Sequence, residues 1–163
     1  MRYLVVVVAV VAVVGCKKDK GGGDKAAGGG GGAPTQKDFE DYASKAKASE
    51  AQLMLNRLGK TLKVYAVEQG GLPVGKSPPT PATPCCASPD HKCAPDPNNL
   101  TGEPWRTLEF TVDEPHLFQY DFESDGKTAT VHAVGDLKCD GHPTTVTLTA
   151  TVDASGGVAT TIN

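Results

Sequence analysis

Between Leu72 and Pro104 the chain carries nine prolines and three cysteines, and almost no large apolar side chain. Burial within such a stretch cannot offset the entropy of ordering it, so it reads as an irregular loop that needs covalent staples. It also separates two hydrophobic periods. Upstream, apolar residues recur at helical spacing; downstream, they alternate. Any fold for this chain has to join a helix to a sheet through that stretch.

The upstream segment predicts one helix over 36–69. Thr35 can cap it, with Asp38 three residues on. Asp38, Glu40 and Asp41 lie near the positive end of its dipole, and Lys60 and Lys63 nearer the other. Gly70-Gly71 ends it and Pro73 prevents its resumption. Ala51, Leu55, Leu58, Leu62 and Tyr65 fall at helical spacing, as do Phe39, Tyr42, Ala43 and Ala46 before them. Gly59 weakens the middle by about 1 kcal/mol relative to Ala.

From Trp105 to the end (105–163) the period is two. Leu108, Phe110 and Val112 alternate, then Phe118, Tyr120 and Phe122, then Ala129, Val131 and Ala133. Val146, Leu148, Ala150 and Val152 follow, and a short VATTI run closes the chain. Turn signals at Asp113-Glu114-Pro115, Ser124-Asp125-Gly126, Gly135 to Pro143 and Ser155-Gly156-Gly157 separate the runs. The expected architecture is α+β: one long helix packed on a four- to five-stranded antiparallel meander sheet, the helix being the only candidate cover for the sheet's apolar face. A helix over 36–69 is roughly 51 Å long, whereas strands of this size span roughly 20–27 Å. The sheet should therefore cover Ala51 to Val67. The N-terminal half should project as a stalk, leaving Phe39, Tyr42, Ala43 and Ala46 for a partner, the loop or a membrane surface.

The N-terminus sets the compartment. Arg2 precedes an apolar run, Leu4 to Val14, of 11 residues. That is too short to span a bilayer, which takes about 20, and suits a secretion signal. Val13-Val14-Gly15-Cys16 resembles a bacterial lipobox. The resemblance implies removal of residues 1–15 and a covalent lipid on Cys16, with no other cofactor expected. Lys17 lacks the aspartate that retains lipoproteins at the inner membrane in some bacteria, so the outer membrane is the expected location. Residues 16–35 include GGGDKAAGGGGGAPT, a flexible tether. About 20 such residues reach roughly 25 Å. The net charge of −3 argues against nucleic acid as a partner.

Four cysteines remain: Cys85, Cys86, Cys93 and Cys139. An even number in an exported chain favours two disulfides. A bridge between the neighbours Cys85 and Cys86 would be strained. One of them should close the short loop to Cys93 while the other reaches Cys139. The same cysteines with His91 and His142 could hold zinc, which requires reduced thiolates; a metal- or small-molecule-binding role for this loop is the alternative reading. Asp136, Asp140 and Gly141 could form part of a calcium turn, but Lys138 stands where an oxygen ligand belongs. His91, His116, His132 and His142 have no Ser, Cys or carboxylate at a recognisable catalytic spacing, and no enzyme is expected. Thr107 to Asn163 hold nine Asp or Glu against Lys127 and Lys138, which fits a charged outer strand face.

A helix ending in Tyr65-x₄-Gly70-Gly71-x-Pro73, then a variable loop, then an antiparallel sheet, resembles the type IV pilin and type II secretion pseudopilin fold. Phe39-x-x-Tyr42-x-Ser44-Lys45-x-Lys47-x-Ser49-Glu50-Ala51-x₆-Leu58 is similar to the part of a pilin helix that follows its membrane segment. Trp105-x-x-Leu108-x-Phe110, with Asp113-x-Pro115-x₂-Phe118-x-Tyr120, is similar to the strand entry, and Gly135-Asp136-Leu137-x-x-Asp140-Gly141 to a turn of the same proteins. The likeness covers roughly residues 37–141. A pilin's membrane helix, Gly-Phe processing site and following glutamate have no counterpart here, so polymerisation into a filament is not expected. The resemblance implies a pilin-like domain, residues 36–163, on a lipid leash. Its expected role is non-enzymatic, an interaction or accessory protein near type IV pilus or type II secretion machinery.

Overall fold

The computed structural model describes residues 35–163. The predicted signal, the lipobox with Cys16, and the tether up to Pro34 lie outside the described residues.

Helix α1 runs Gln36–Gln69. Its start is a reciprocal capping box. The Thr35 hydroxyl accepts from the Asp38 N–H at 3.3 Å, and the Asp38 carboxylate accepts from the Thr35 N–H at 2.7 Å. At the other end Gly70 takes the left-handed conformation, φ 76°, and donates its N–H to the Ala66 carbonyl at 2.9 Å. Only a residue without a Cβ adopts that conformation at no steric cost.

Five strands follow: β1 (Gly75–Thr80), β2 (Gln119–Ser124), β3 (Thr128–Gly135), β4 (Thr144–Val152) and β5 (Val158–Ile162). They pair antiparallel in chain order. One cross-strand row, Ser77–Phe122–Val131–Leu148–Ile162, runs across all five. Tyr120, Phe122, Ala129, Val131, Ala133, Val146, Leu148 and Ala150 are buried on one face. Asp121, Thr130, His132, Thr147 and Thr149 alternate with them on the other.

Two expectations are corrected. Leu108, Phe110 and Val112 do not form a strand. Residues 102–109 coil through turns, with the Arg106 N–H donating to the Gly102 carbonyl, Leu108 to Pro104, and Phe110 to Trp105. These turns bury Trp105, Leu108 and Phe110 together, so the apolar spacing records contact with the core and not membership of the sheet. The fifth strand lies instead in the stretch read as wholly irregular, as β1. Pro78 and Pro79 are tolerated there because β1 is an edge strand, paired on one side only; its register slips between Ser77 and Thr80, where the two prolines stand.

The helix is also not the only cover. It packs on β4, β5 and the near part of β3. Five strands about 4.8 Å apart make a sheet roughly 19 Å wide, and a helix with side chains is about 10 Å across. The β1–β2 half is roofed by Trp105, Leu108 and Phe110. Trp105 meets Phe122 edge-on at 5.8 Å between ring centroids, and Phe110 meets Tyr120 at 5.3 Å. The indole N–H donates to the Ser77 hydroxyl at 2.6 Å and so ties this roof to β1.

Along α1 the buried positions are Ala51, Leu55, Leu58, Gly59, Leu62 and Ala66. Phe39, Tyr42, Ala43 and Ala46 are exposed, so the N-terminal part extends past the sheet as expected. Two polar struts reach back to it: Lys47 Nζ donates to the Leu137 carbonyl at 2.7 Å, and the Glu50 carboxylate accepts from the Leu117 N–H at 2.9 Å. Gly59 sits over β4, and a methyl group there would meet Leu148 Cδ1 at 3.5 Å, ordinary van der Waals contact. Gly59→Ala should therefore stabilise the fold by about 1 kcal/mol, through helix propensity with no clash. A urea titration that shows the midpoint moving down instead would contradict this packing.

Candidate functional site

Beyond β1, the Pro/Cys stretch forms a shoulder held by two disulfides and one backbone bridge. Cys85 bridges Cys93, and Cys86 bridges Cys139. A single 3₁₀ turn, Cys85–Ala87, carries the two neighbours into separate bridges. This settles the pairing left open by the spacing. Cys93 and His116 exchange backbone hydrogen bonds, 2.8 and 3.0 Å, which pins the shoulder to the entry of β2. The other bridge pins it to the β3–β4 turn.

That turn is organised by Asp136. Its carboxylate accepts from the backbone N–H of Gly141 at 2.7 Å, and of Lys138 and Asp140 at 3.3 Å each. Desolvation opposes ionisation, yet these amides, with that of Cys139, hold the carboxyl below the usual carboxylate range. Asp140 is likewise engaged, accepting from the His142 N–H at 3.0 Å. The oxygens considered as calcium ligands thus cap the turn's own amides. Gly135 ends β3 where a Cβ would lie 2.6 Å from the Leu117 carbonyl oxygen, so a bare backbone is required there.

The zinc-ligand set considered from the sequence is divided. His91 and His142 are exposed, His91 with Nδ1 3.3 Å from the Cys86 carbonyl oxygen. The buried His116 takes their place, its ligand atom within 4.8 Å of the Cys85 and Cys93 sulfurs. His116 follows Cys93 by more than twenty residues, and only the Cys93–His116 backbone bridge brings it there. Both sulfurs are joined to each other, and a disulfide has no thiolate to offer a metal. His132 lies elsewhere, on the outer sheet face, with Nδ1 2.8 Å from Asp121 Oδ1.

The second candidate surface is the outer side of α1. Phe39 is 62% exposed, Tyr42 75%, Leu53 71%, Val64 57% and Val67 82%. At about 100° per residue these five fall within an arc of about 80°, centred roughly 170° from the buried face. Ala46 shares the arc. Ala43 does not; with Lys47 it borders an open cleft of ≈ 410 Å³ against Leu137 and Cys139. Sequence reasoning found the N-terminal members and missed Leu53, Val64 and Val67. The buried face supplies apolar residues at intervening positions, and two opposed stripes on one helix obscure each other's period. A cleft of ≈ 340 Å³ between Leu53 and Arg57 on one side and Val112 to Pro115 on the other borders this arc.

Two measurements test this construction. In the chain-entropy view, the Cys86–Cys139 bridge, separation 53, is worth about 4 kcal/mol, and the Cys85–Cys93 bridge, separation 8, about 2.5 kcal/mol. Replacing Cys86 and Cys139 by Ser should therefore lower the urea midpoint more than replacing Cys85 and Cys93. The second concerns acid. Asp38, Glu103, Asp125, Asp136 and Asp153 are all held below the usual carboxylate range, Asp125 by the Thr128 and Lys127 amides and Asp153 first by the Ser155 hydroxyl. Their contribution is complete above the unfolded pKa, near 4, and is lost as pH falls through the lower folded values. Thermal midpoints should stay level from about pH 6 to pH 5 and drop below about pH 4. No family model, curated protein or solved structure matches this chain.

Proposed function

We propose that this chain is a lipid-anchored protein of the bacterial envelope whose α+β body is a pilin-like, non-enzymatic interaction domain. Its role is accessory, near type IV pilus or type II secretion machinery, and its membrane is the outer one. The observation that carries the reading is the order of parts. A lipobox and Gly-rich stretch precede a long helix that overhangs its sheet, then a disulfide-stapled shoulder, then an antiparallel meander. Among the described residues no helix is long and apolar enough to cross a membrane. Two or more acyl chains on one residue suffice for stable attachment, at about 0.8 kcal/mol per buried CH₂.

The mechanism is passive. Cys16 anchors, the tether gives reach, and the shoulder and outer helix face are presented for recognition. Residues 72–104 and 136–142, cross-linked through Cys86–Cys139, make that shoulder rigid, so binding there costs little ordering entropy.

Intact mass of the protein purified from membranes tests the anchor. The expected species begins at Cys16, carries diacylglyceryl and acyl mass, and gains four hydrogens on reduction of its two bridges. Cys16→Ser should leave the precursor uncut and absent from the membrane fraction. A serine variant processed and retained like the parent would end the anchoring account. Affinity capture that recovers no pilus or secretion component would end the machinery link alone.

A further inference from the structure

We infer that the outer face of α1 is the seat of a second copy of this chain, its helix packed antiparallel about a two-fold axis through Leu53. This deepens the interaction role proposed above by naming a partner, and it is independent of the lipid anchor. Of the large hydrophobic side chains exposed among the described residues, Val74 alone lies off this face. Their positions are symmetric. Leu53 stands 11 residues from both Tyr42 and Val64, and 14 from both Phe39 and Val67. An antiparallel copy centred on Leu53 therefore sets Phe39 against Val67, Tyr42 against Val64, and Leu53 against itself. That is the self-complementary pattern a two-fold interface requires, residue i meeting j while j meets i.

Charge selects the direction. In the antiparallel register Lys60 faces Ala46. Glu50 of one copy, whose Oε1 accepts from Leu117 and whose other carboxylate oxygen is left over, comes within one helical step of Arg57 of the other, on the same flank, and the symmetry makes this pair twice. A parallel pair would set Lys60 against Lys60 and Arg57 against Arg57. Area sets the strength. From Phe39 to Val67 the strip is roughly 42 Å long and about 10 Å wide, or roughly 400 Å² per copy. With the adjoining segment Val112 to Pro115 on the rim, the total approaches about 1,000 Å², the lower limit for a specific interface, so the dimer is weak and transient. Nothing of the sheet intervenes, because α1 meets it on the opposite side.

Single-cysteine cross-linking of the full chain tests this, in a Cys16→Ser background so that the added thiol has no other unpaired cysteine to meet. Leu53→Cys, on the axis, should give a disulfide-linked dimer under mild oxidation. Tyr42→Cys alone should not, since the two copies of residue 42 lie about 33 Å apart, whereas a disulfide needs Cα atoms within about 7 Å. Mixing Tyr42→Cys with Val64→Cys should restore the dimer. In sedimentation, Leu53→Glu should weaken self-association at least tenfold while leaving the monomer's circular dichroism unchanged. Cross-linking of Tyr42→Cys with itself would overturn the antiparallel register. A Leu53→Cys chain that stays monomeric, above all one that binds neutral phosphatidylcholine vesicles through this face, would overturn the dimer in favour of lipid.

Discussion

The apolar face of the sheet is wider than one helix, and the rest of the structure answers that mismatch. Helix α1 shields β3 to β5. The remainder is closed by Trp105, Leu108 and Phe110, held in a segment that has turns but no long regular element. Such a segment has little local cooperativity of its own. It keeps its place through the indole hydrogen bond to Ser77, the aromatic contacts with Phe122 and Tyr120, and the covalent frame next to it. The two bridges and the Cys93–His116 backbone pair thus belong to the same solution as the core, since they fix the segment leading into that roof.

One buried group stands outside this economy. The Tyr120 hydroxyl is fully buried and has no hydrogen-bond partner among the described residues; burial first, and then the charge of Glu50, push its ionisation well above the usual range. The ring is retained for what it packs against, Phe110, and the hydroxyl's desolvation is a cost carried by the core. Glu50 itself links helix to sheet, its carboxylate accepting from the Leu117 N–H at 2.9 Å. Lys47 makes the parallel link to Leu137. Lys47 leaves from the sheet side of α1 and Glu50 from the flank of its outer face, and together they fix which face of the helix is turned outward.

A helix held in this way must expose whatever lies opposite its buried stripe, and here that is a second apolar row and not a charged one. On an ordinary amphipathic helix the outer face carries the charges. Here Arg57 and Lys60 interrupt the row, and Glu50 flanks it. Exposed apolar side chains are tolerated singly, but five on one face, reaching 14 residues to either side of Leu53, make a contact surface in want of an occupant.

The sequence by itself determined the helix and its ends, because Thr35, Asp38, Gly70 and Pro73 act on neighbouring backbone groups. It determined the four C-terminal strands for the same reason, since alternation and turn residues are local. It also limited the bridges to two pairings, as neighbouring cysteines cannot easily pair with each other. What it did not contain was anything that depends on the width of the assembled sheet. The roof at Trp105 to Phe110 read as a strand, and β1 read as loop, because only the finished sheet creates an edge that accepts Pro78 and Pro79 and a bare flank that draws in Trp105. His116 came to the Cys85–Cys93 bridge through one backbone pair that no spacing encodes. The outer row of α1 stayed hidden until the sheet chose a side, for a helical period records two faces without saying which of them will be buried.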